Sequence, residues 1–267
     1  MPAPYLPLAS LSKTPIVITR PQSQAEPLAA RLTAMGRDAR IFPLLEIQPL
    51  ADNTQLTACM KGLADYAMVA FVSPNAVDAA FTCLSHWPQG VVAAVVGEGS
   101  RLALAKHGVT NETAMVLSPV DAQRTDSETL LEVVDLPALA GKKVLIVRAE
   151  TGRELLADRL REAGISVDQV AAYSRSAPLL DDQRRQELSQ LIDARCDWII
   201  TSSEALRYLK EDVQQVAGSS GWEKISQATL IVPHARIAET AKNMGFEQII
   251  LSASGDEALM AAIQSRP

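Results

Sequence analysis

Short apolar runs alternate along the chain with longer stretches in which apolar residues recur every three or four positions. PIVITR (15–20) is compact, apolar and rich in β-branched residues, the signature of a strand buried on both faces. After it, Leu28 and Leu32 fall on one helical face, and Gly36 marks the helix end. AMVAFVS (67–73), VVAAVVG (91–97), DWIITS (197–202) and TLIVP (229–233) are further strands of the same kind, each leading into a helical pattern. The helices after VVAAVVG and TLIVP close at Gly108 and Gly245. Three helix starts read as capping boxes: Thr125 with Glu128, Thr201 with Glu204, and Ser254 with Glu257. Strand and helix alternating at this spacing predict parallel sheets with right-handed crossovers.

The pattern occurs twice. IVITRPQSQAEPLAARLTAMG, with Arg20, returns 128 residues on as VLIVRAETGRELLADRLREAG, with Arg148, Leu156 and Leu160 on the helical face and Gly164 as the stop. FVSPNAV (Ser73) returns as ITSSEAL (Ser202), VVGEGSRLALAKHG as IVPHARIAETAKNMG, and DSETLL (Glu128) as GDEALM (Glu257). Near-constant offsets across unlike motifs mark an internal duplication, hence two similar α/β domains with a cleft between them, where ligands commonly bind. Each Arg unit ends in a long extended run, RIFPLLEIQPL (40–50) and QVAAYSRSAPL (169–179), longer than a strand of such a sheet requires. Two arrangements fit. Either both runs cross between domains and pair, so that residues 1 to about 44 complete a sheet with the segment from about 176 onward, or the chain is a tandem cut near residue 140.

Length and composition narrow the picture. At 267 residues, 48% hydrophobic and 21% charged, the chain can bury a sizeable core, built mostly from aliphatic residues because only 4% are aromatic. A net charge of −6 argues against nucleic acid or acidic membranes as the main partner. Cys59, Cys83 and Cys196 are odd in number, scattered and form no CxxC, so small buried residues are expected rather than a disulfide or metal site. The N-terminus has no charged start followed by an apolar run, so a flexible leader of a dozen or so residues is expected there, not a signal peptide.

Common catalytic signatures are missing: there is no Walker loop, HExxH, GxSxG or complete GxGxxG. What the pattern does supply is a set of turns at the carboxyl ends of strands, the edge where open parallel sheets bind ligands. These turns hold Arg20; Ser73 and Asn75; Gly97 and Ser100; Arg148 and Gly152; Ser202 and Ser203; and His234 and Arg236. Each opens a helix and so presents unpaired N–H groups and a positive dipole end. The set suits a large ligand with several negative groups. Each residue also has a plain structural role available. Serines cap helices, glycines serve tight turns, and Arg20 and Arg148 can form salt bridges. Arg153 reads as a solvated side chain, and Glu98 and Glu150 as dipole partners. His86 reads as a loop residue and His107 as a helix-end residue.

Tyr173 breaks the symmetry of the repeat. Its partner in the first copy is Leu45. A tyrosine can pack as that leucine does while pointing a hydroxyl into the cleft, or it can simply pack.

Taken together, the motifs resemble those of the uroporphyrinogen-III synthase family. The resemblance runs from ITRP (18–21) to the last helix and rests on ITRPQSQAEPLAARLTAMG, FVSPNAV, VVGEGSRLAL, VRAETGRELLADRLREAG with VDQVAAYSR, and ITSSEAL. No one motif is specific; their order with Tyr173 is. Val72 stands where the family usually has Thr, Ser100 replaces a frequent Thr, and Pro233 and Arg236 occupy a turn that often carries Gly and Thr. The resemblance implies two flavodoxin-like, helix-flanked parallel-sheet lobes joined by a two-stranded antiparallel connector. The first lobe is then 1–44 plus 176–267, the second 50–169, and the connector strands 45–49 and 170–175. It implies cyclisation of the linear tetrapyrrole hydroxymethylbilane to uroporphyrinogen III, with loss of water and inversion of the last ring. Tyr173 is then the catalytic residue, and Arg20, Ser73, Asn75, Gly97, Ser100, Arg148, Gly152, Ser202, Ser203, His234 and Arg236 bind substrate. No metal or organic cofactor, no nucleic acid and no membrane is expected. A cytoplasmic monomer, in transient contact with the preceding pathway enzyme, is. A non-catalytic bilobed sensor and a nucleotide-using α/β enzyme are the competing readings, the latter opposed by the missing phosphate-loop signatures.

Overall fold

The computed structural model describes residues 14–120 and 126–265. The expected leader and Thr125 lie outside the described residues.

Two mostly parallel sheets, each flanked by helices, form from eleven strands among the described residues. The five-stranded sheet contains β1 (Ile16–Ile18), β2 (Ala39–Ile41), β9 (Asp197–Ile199), β10 (Leu230–Val232) and β11 (Ile249–Leu251), in the order β11-β10-β9-β1-β2. The six-stranded sheet contains β3 (Glu46–Pro49), β4 (Met68–Phe71), β5 (Val92–Val95), β6 (Val116–Leu117), β7 (Lys143–Ala149) and β8 (Ser166–Ser176), in the order β3-β8-β7-β4-β5-β6. All pairings are parallel except β3 with β8. β1 is flanked by β9 and β2 as β7 is flanked by β4 and β8. Each sheet thus joins the Arg-bearing half of one repeat to the remaining strands of the other. The sequence repeat and the folded unit are different objects.

Two compact units follow. Among the described residues, one comprises 14–44 with Leu179–Leu251; the other comprises Leu45–Pro178 with 252–265. The last helix, α11 (Asp256–Gln264), therefore groups with the second unit, where the strand–helix alternation places it with the first. The chain turns at Gly255, φ +93°, just before it.

Strand burial follows from composition: Ile16, Val17, Ile18, Val69, Ala70, Phe71, Leu145 and Val147 are all 0% exposed. Helix α1 (Gln22–Ala34) buries Ala25, Leu28 and Leu32, and α7 (Leu155–Glu162) buries Leu156, Ala157 and Leu160, the stripes the spacing predicts. The four helix-closing glycines, Gly36, Gly108, Gly164 and Gly245, all have φ between +73° and +101°, a conformation a side chain resists. The predicted capping boxes sit one residue early. Ser202, not Thr201, caps α9 (Ser203–Ser226), and Asp126 caps α5 (Ser127–Leu131) in a box with Thr129. Gly255 stands at the N-cap of α11. The cap is whichever residue still has extended dihedrals when the strand ends, as Ser202 does at φ −147°.

The two long extended runs take different forms. Residues 40–50 divide between β2 and β3, whereas 169–179 lies largely in the single eleven-residue β8. β3 adds antiparallel to the far end of β8, pairing Glu46 with Ser176 and Pro49 with Tyr173. Pro49 is tolerated in β3 because β3 is an edge, paired on one side alone.

Candidate functional site

At the carboxyl edge of the six-stranded sheet, β4 ends at Phe71 and Ser73 begins α3 (Pro74–Phe81). Pro74 at the first helical position costs nothing there, and Ser73 Oγ accepts the Ala76 N–H at 3.1 Å. Two strands away, β7 and β8 slip by one residue. Arg148 pairs with Ala171 but Ala149 with Tyr173, so Ala172 is an inserted, bulged residue. The bulge turns consecutive residues to one side. Ala172 and Tyr173 both join the cluster of Val69, Phe71, Ala76, Val147, Ala149 and Val170. Tyr173 is 6% exposed, and its Oη lies 3.0 Å from Ser73 Oγ.

A second helix start lies against the first. Gly97 precedes α4 (Glu98–Lys106), and a Cβ on Gly99 would lie 3.3 Å from Pro74 Cγ. Ser100 is buried in the first turn of α4, Asn75 is half-buried in α3, and Glu98 pairs twice with Arg101 at 2.6 Å. The N-termini of α3 and α4 thus adjoin, with the Ser73–Tyr173 pair at the first. Such an edge accepts negative groups from substrate.

Arg148 lies elsewhere. Leu145, Val147 and Ala149 line the cluster that holds Tyr173, so strand alternation sends Arg148 to the other face, that of Val144 and Ile146. There Nη1 donates to Glu154 at 2.5 Å and to Gln169, the partner of Ile146, at 2.6 Å. Gln169 Nε2 closes the triangle on Glu154 at 2.6 Å. The Gln169 amide and the Arg148 guanidinium hold the Glu154 carboxyl below its ordinary range. Gly152 lies against Arg148 Nη2. Arg148 therefore braces the turn between β7 and α7. Arg153, read as solvated, pairs with Glu128 at 2.5 Å and draws that carboxyl's pKa down.

The equivalent edge of the five-stranded sheet carries the other predicted residues. Arg20 follows β1, next to a buried Thr19 whose Oγ1 donates to the Ile199 carbonyl at 2.7 Å. Ser202 Oγ accepts the Glu204 and Ala205 N–H groups, at 3.1 and 3.5 Å. Ser203 Oγ lies 3.2 Å from Thr240 Oγ1, which donates to the Arg236 carbonyl at 2.9 Å. His234 stands at the N-cap of α10 (Ala235–Asn243), and Arg236 is exposed in its first turn. Of the remaining histidines, His86 is exposed, and His107 meets Asp78 at 3.0 Å and stacks on Phe81.

Sequence reading missed Thr19, Glu154, Gln169 and Thr240. Glu154 alone carried a signal, as an acid at a helix start. Gln169 and Thr240 are found only through strand register and helix packing. Among the described residues there is no group of three or more His, Cys, Asp or Glu able to hold a metal ion, and no helix is long and apolar enough to cross a membrane.

Residues 26–261 match the family described as uroporphyrinogen-III synthase HemD. The uroporphyrinogen-III synthase of Escherichia coli K12 is 30% identical over 257 residues, 93% of this chain and 99% of that one, and the Salmonella typhimurium LT2 enzyme gives the same values. Among solved structures, a mutant uroporphyrinogen III synthase from the extremely thermophilic bacterium Thermus thermophilus aligns with a TM-score of 0.61 at 13% identity, covering 94% of this chain and all of that one. The Helicobacter pylori 26695 uroporphyrinogen-III synthetase aligns at 0.59 and 16%, covering 94% and 99%. At these identities the structural likeness speaks for the fold.

Proposed function

The chain belongs to the uroporphyrinogen-III synthase family, cyclising lyases of tetrapyrrole biosynthesis, and on that premise we propose how it closes hydroxymethylbilane to uroporphyrinogen III. The substrate is a linear tetrapyrrole with eight carboxylates and a terminal hydroxymethyl group. Its pyrrole nitrogen can push out the hydroxyl, leaving an azafulvene. The hydroxyl departs as water once it receives a proton, so one correctly placed weak acid suffices. The remaining task is to fold the chain so that the terminal ring is attacked at its substituted carbon, through a spiro intermediate, rather than at its free end. That is catalysis by positioning.

One observation carries the assignment of roles: the Tyr173 hydroxyl, at the carboxyl edge of its sheet, is held 3.0 Å from the cap of a helix. Tyr173 gives its proton to the departing hydroxyl. Ser73 and Gly97 through their main-chain N–H groups, and Asn75 and Ser100 through side-chain donors as well, hold substrate carboxylates around the starts of α3 and α4. Arg20, Ser202, Ser203, His234 and Arg236 offer the same chemistry on the other unit. Arg148 and Gly152 serve the site by shaping a turn. The first lobe is read as discontinuous, built from an early and a late segment of the chain, which the mixed origin of the five-stranded sheet supports. We read the protein as a cytoplasmic monomer. Free hydroxymethylbilane closes spontaneously to the type I isomer, which favours transient contact with the enzyme that makes it.

The test is direct. Enzymatically made hydroxymethylbilane is incubated with the protein, and the oxidised type I and type III products are resolved. Type III is expected; type I alone would remove this reading.

A further inference from the structure

We propose that Ser73 is a positioning residue whose hydroxyl donates to Tyr173, aiming the phenol proton away from the protein and steadying the oxygen that loses it. The proposal rests on the reading of Tyr173 as the proton donor and deepens it.

A serine hydroxyl has one proton and two lone pairs. One lone pair of Ser73 is taken by the Ala76 N–H, at 3.1 Å. At 3.0 Å, either hydroxyl of the Ser73–Tyr173 pair can donate. If Tyr173 donated, its only proton would be spent on Ser73, with none left for a substrate. If Ser73 donates, the phenol proton stays free to point elsewhere. Two features favour the second order. The Ala76 N–H and the positive end of α3 both draw electron density from Ser73 Oγ, which makes its O–H a better donor. And as the phenol gives up its proton, the serine faces an oxygen of growing negative charge, where a charge-assisted bond is stronger than a neutral one. The contact therefore strengthens along the reaction, the condition for lowering a barrier.

The duplication supplies an independent argument. The repeat partners of Ser73 and Tyr173 are Ser202 and Leu45. Ser202 caps its helix through two backbone N–H groups, with a leucine at the other position. Leu45 is 7% exposed and Tyr173 6%, so the leucine is as well buried as the tyrosine. At the matching positions of the other copy, one residue only caps and the other only packs. Tyr173 is the departure: it adds a phenol oxygen to an apolar body, and that oxygen goes to the serine of the first copy.

A double-mutant cycle tests this. Turnover and isomer ratio with hydroxymethylbilane are measured for wild type, Ser73→Ala, Tyr173→Phe and the pair, with thermal unfolding as the check on folding. Ser73→Ala is expected to lower kcat roughly fivefold to tenfold with little change in KM, the scale of one hydrogen bond. In the Tyr173→Phe background it should lower kcat no further. Ser73→Thr should restore the wild-type rate. Ser73→Asp keeps a capping acceptor but has no proton to donate, so it should share the loss while unfolding near wild type. Equal loss from Ser73→Ala in both backgrounds, or a Ser73→Asp variant as active as wild type, would make Ser73 a helix cap only and overturn the proposal. Wild-type protein giving only type I would instead sink the functional reading.

Discussion

A Cβ on Gly152 would lie 2.6 Å from Arg148 Nη2. No real Cβ sits that close, and this guanidinium cannot swing aside cheaply, because Glu154 and Gln169 hold its other nitrogen. Gly152→Ala must therefore move the turn or break a charge-assisted hydrogen bond. A loss of about 1.5–3 kcal/mol is expected, read by urea unfolding. A variant as stable as wild type would mean that the turn yields freely.

The Arg148–Glu154 pair is lopsided, with side chains 10% and 51% exposed. Removing the acid leaves a buried cation with Gln169 as its remaining partner in the triangle. Removing the cation leaves an acid already half in water. Glu154→Ala should thus destabilise more than Arg148→Met, by roughly 1 kcal/mol or more. The reverse order would favour Arg148 as a ligand-facing charge over a brace.

Tyr173→Phe keeps the ring in its apolar cluster and removes the oxygen. Unfolding should move by less than about 1.5 kcal/mol, the worth of one hydrogen bond. Turnover should fall by roughly tenfold or more, short of the largest general-acid effects because the hydroxyl leaves readily. Steady-state assay of type III product reads it, and an unchanged kcat would end the catalytic role of this residue.

Much of this was legible in the sequence, and the failures have physical causes. Continuous apolar runs such as PIVITR could only be strands covered on both faces, and the closing glycines marked their helices to the residue. Parity was not legible. Arg148 alternates with Val147 and Ala149, and only the packing shows that their face is the one that holds Tyr173 while its own is where Glu154 and Gln169 hold it. Tyr173 reaches Ser73 because a bulge inserts Ala172, and period-two reading cannot foresee an inserted residue. The capping boxes failed by one position because several residues able to cap stood near each helix start, and the backbone dihedrals chose among them.

Asp212, on α9, offers the last prediction. It is 5% exposed, and its Oδ2 has no hydrogen-bond partner among the described residues. Burial pushes its carboxyl above the ordinary range and Glu211 adds to this, while Arg184 and Arg185, from α8 (Asp182–Asp193), pull it down. Arg184 is itself committed, lying 3.9 Å over the Phe42 ring and donating to the Pro43 carbonyl. The sign follows from linkage. A carboxyl with a raised folded pKa stabilises the fold below its unfolded value, about 3.9, and loses that contribution as pH rises through the folded value. Asp212→Asn does not titrate. Its stability relative to wild type should therefore improve as pH is raised from 4 toward neutrality, measured by urea unfolding at several pH values. A stability relative to wild type that falls over the same range would show that the two arginines outweigh burial and that Asp212 is an ion-pair partner in its folded surroundings.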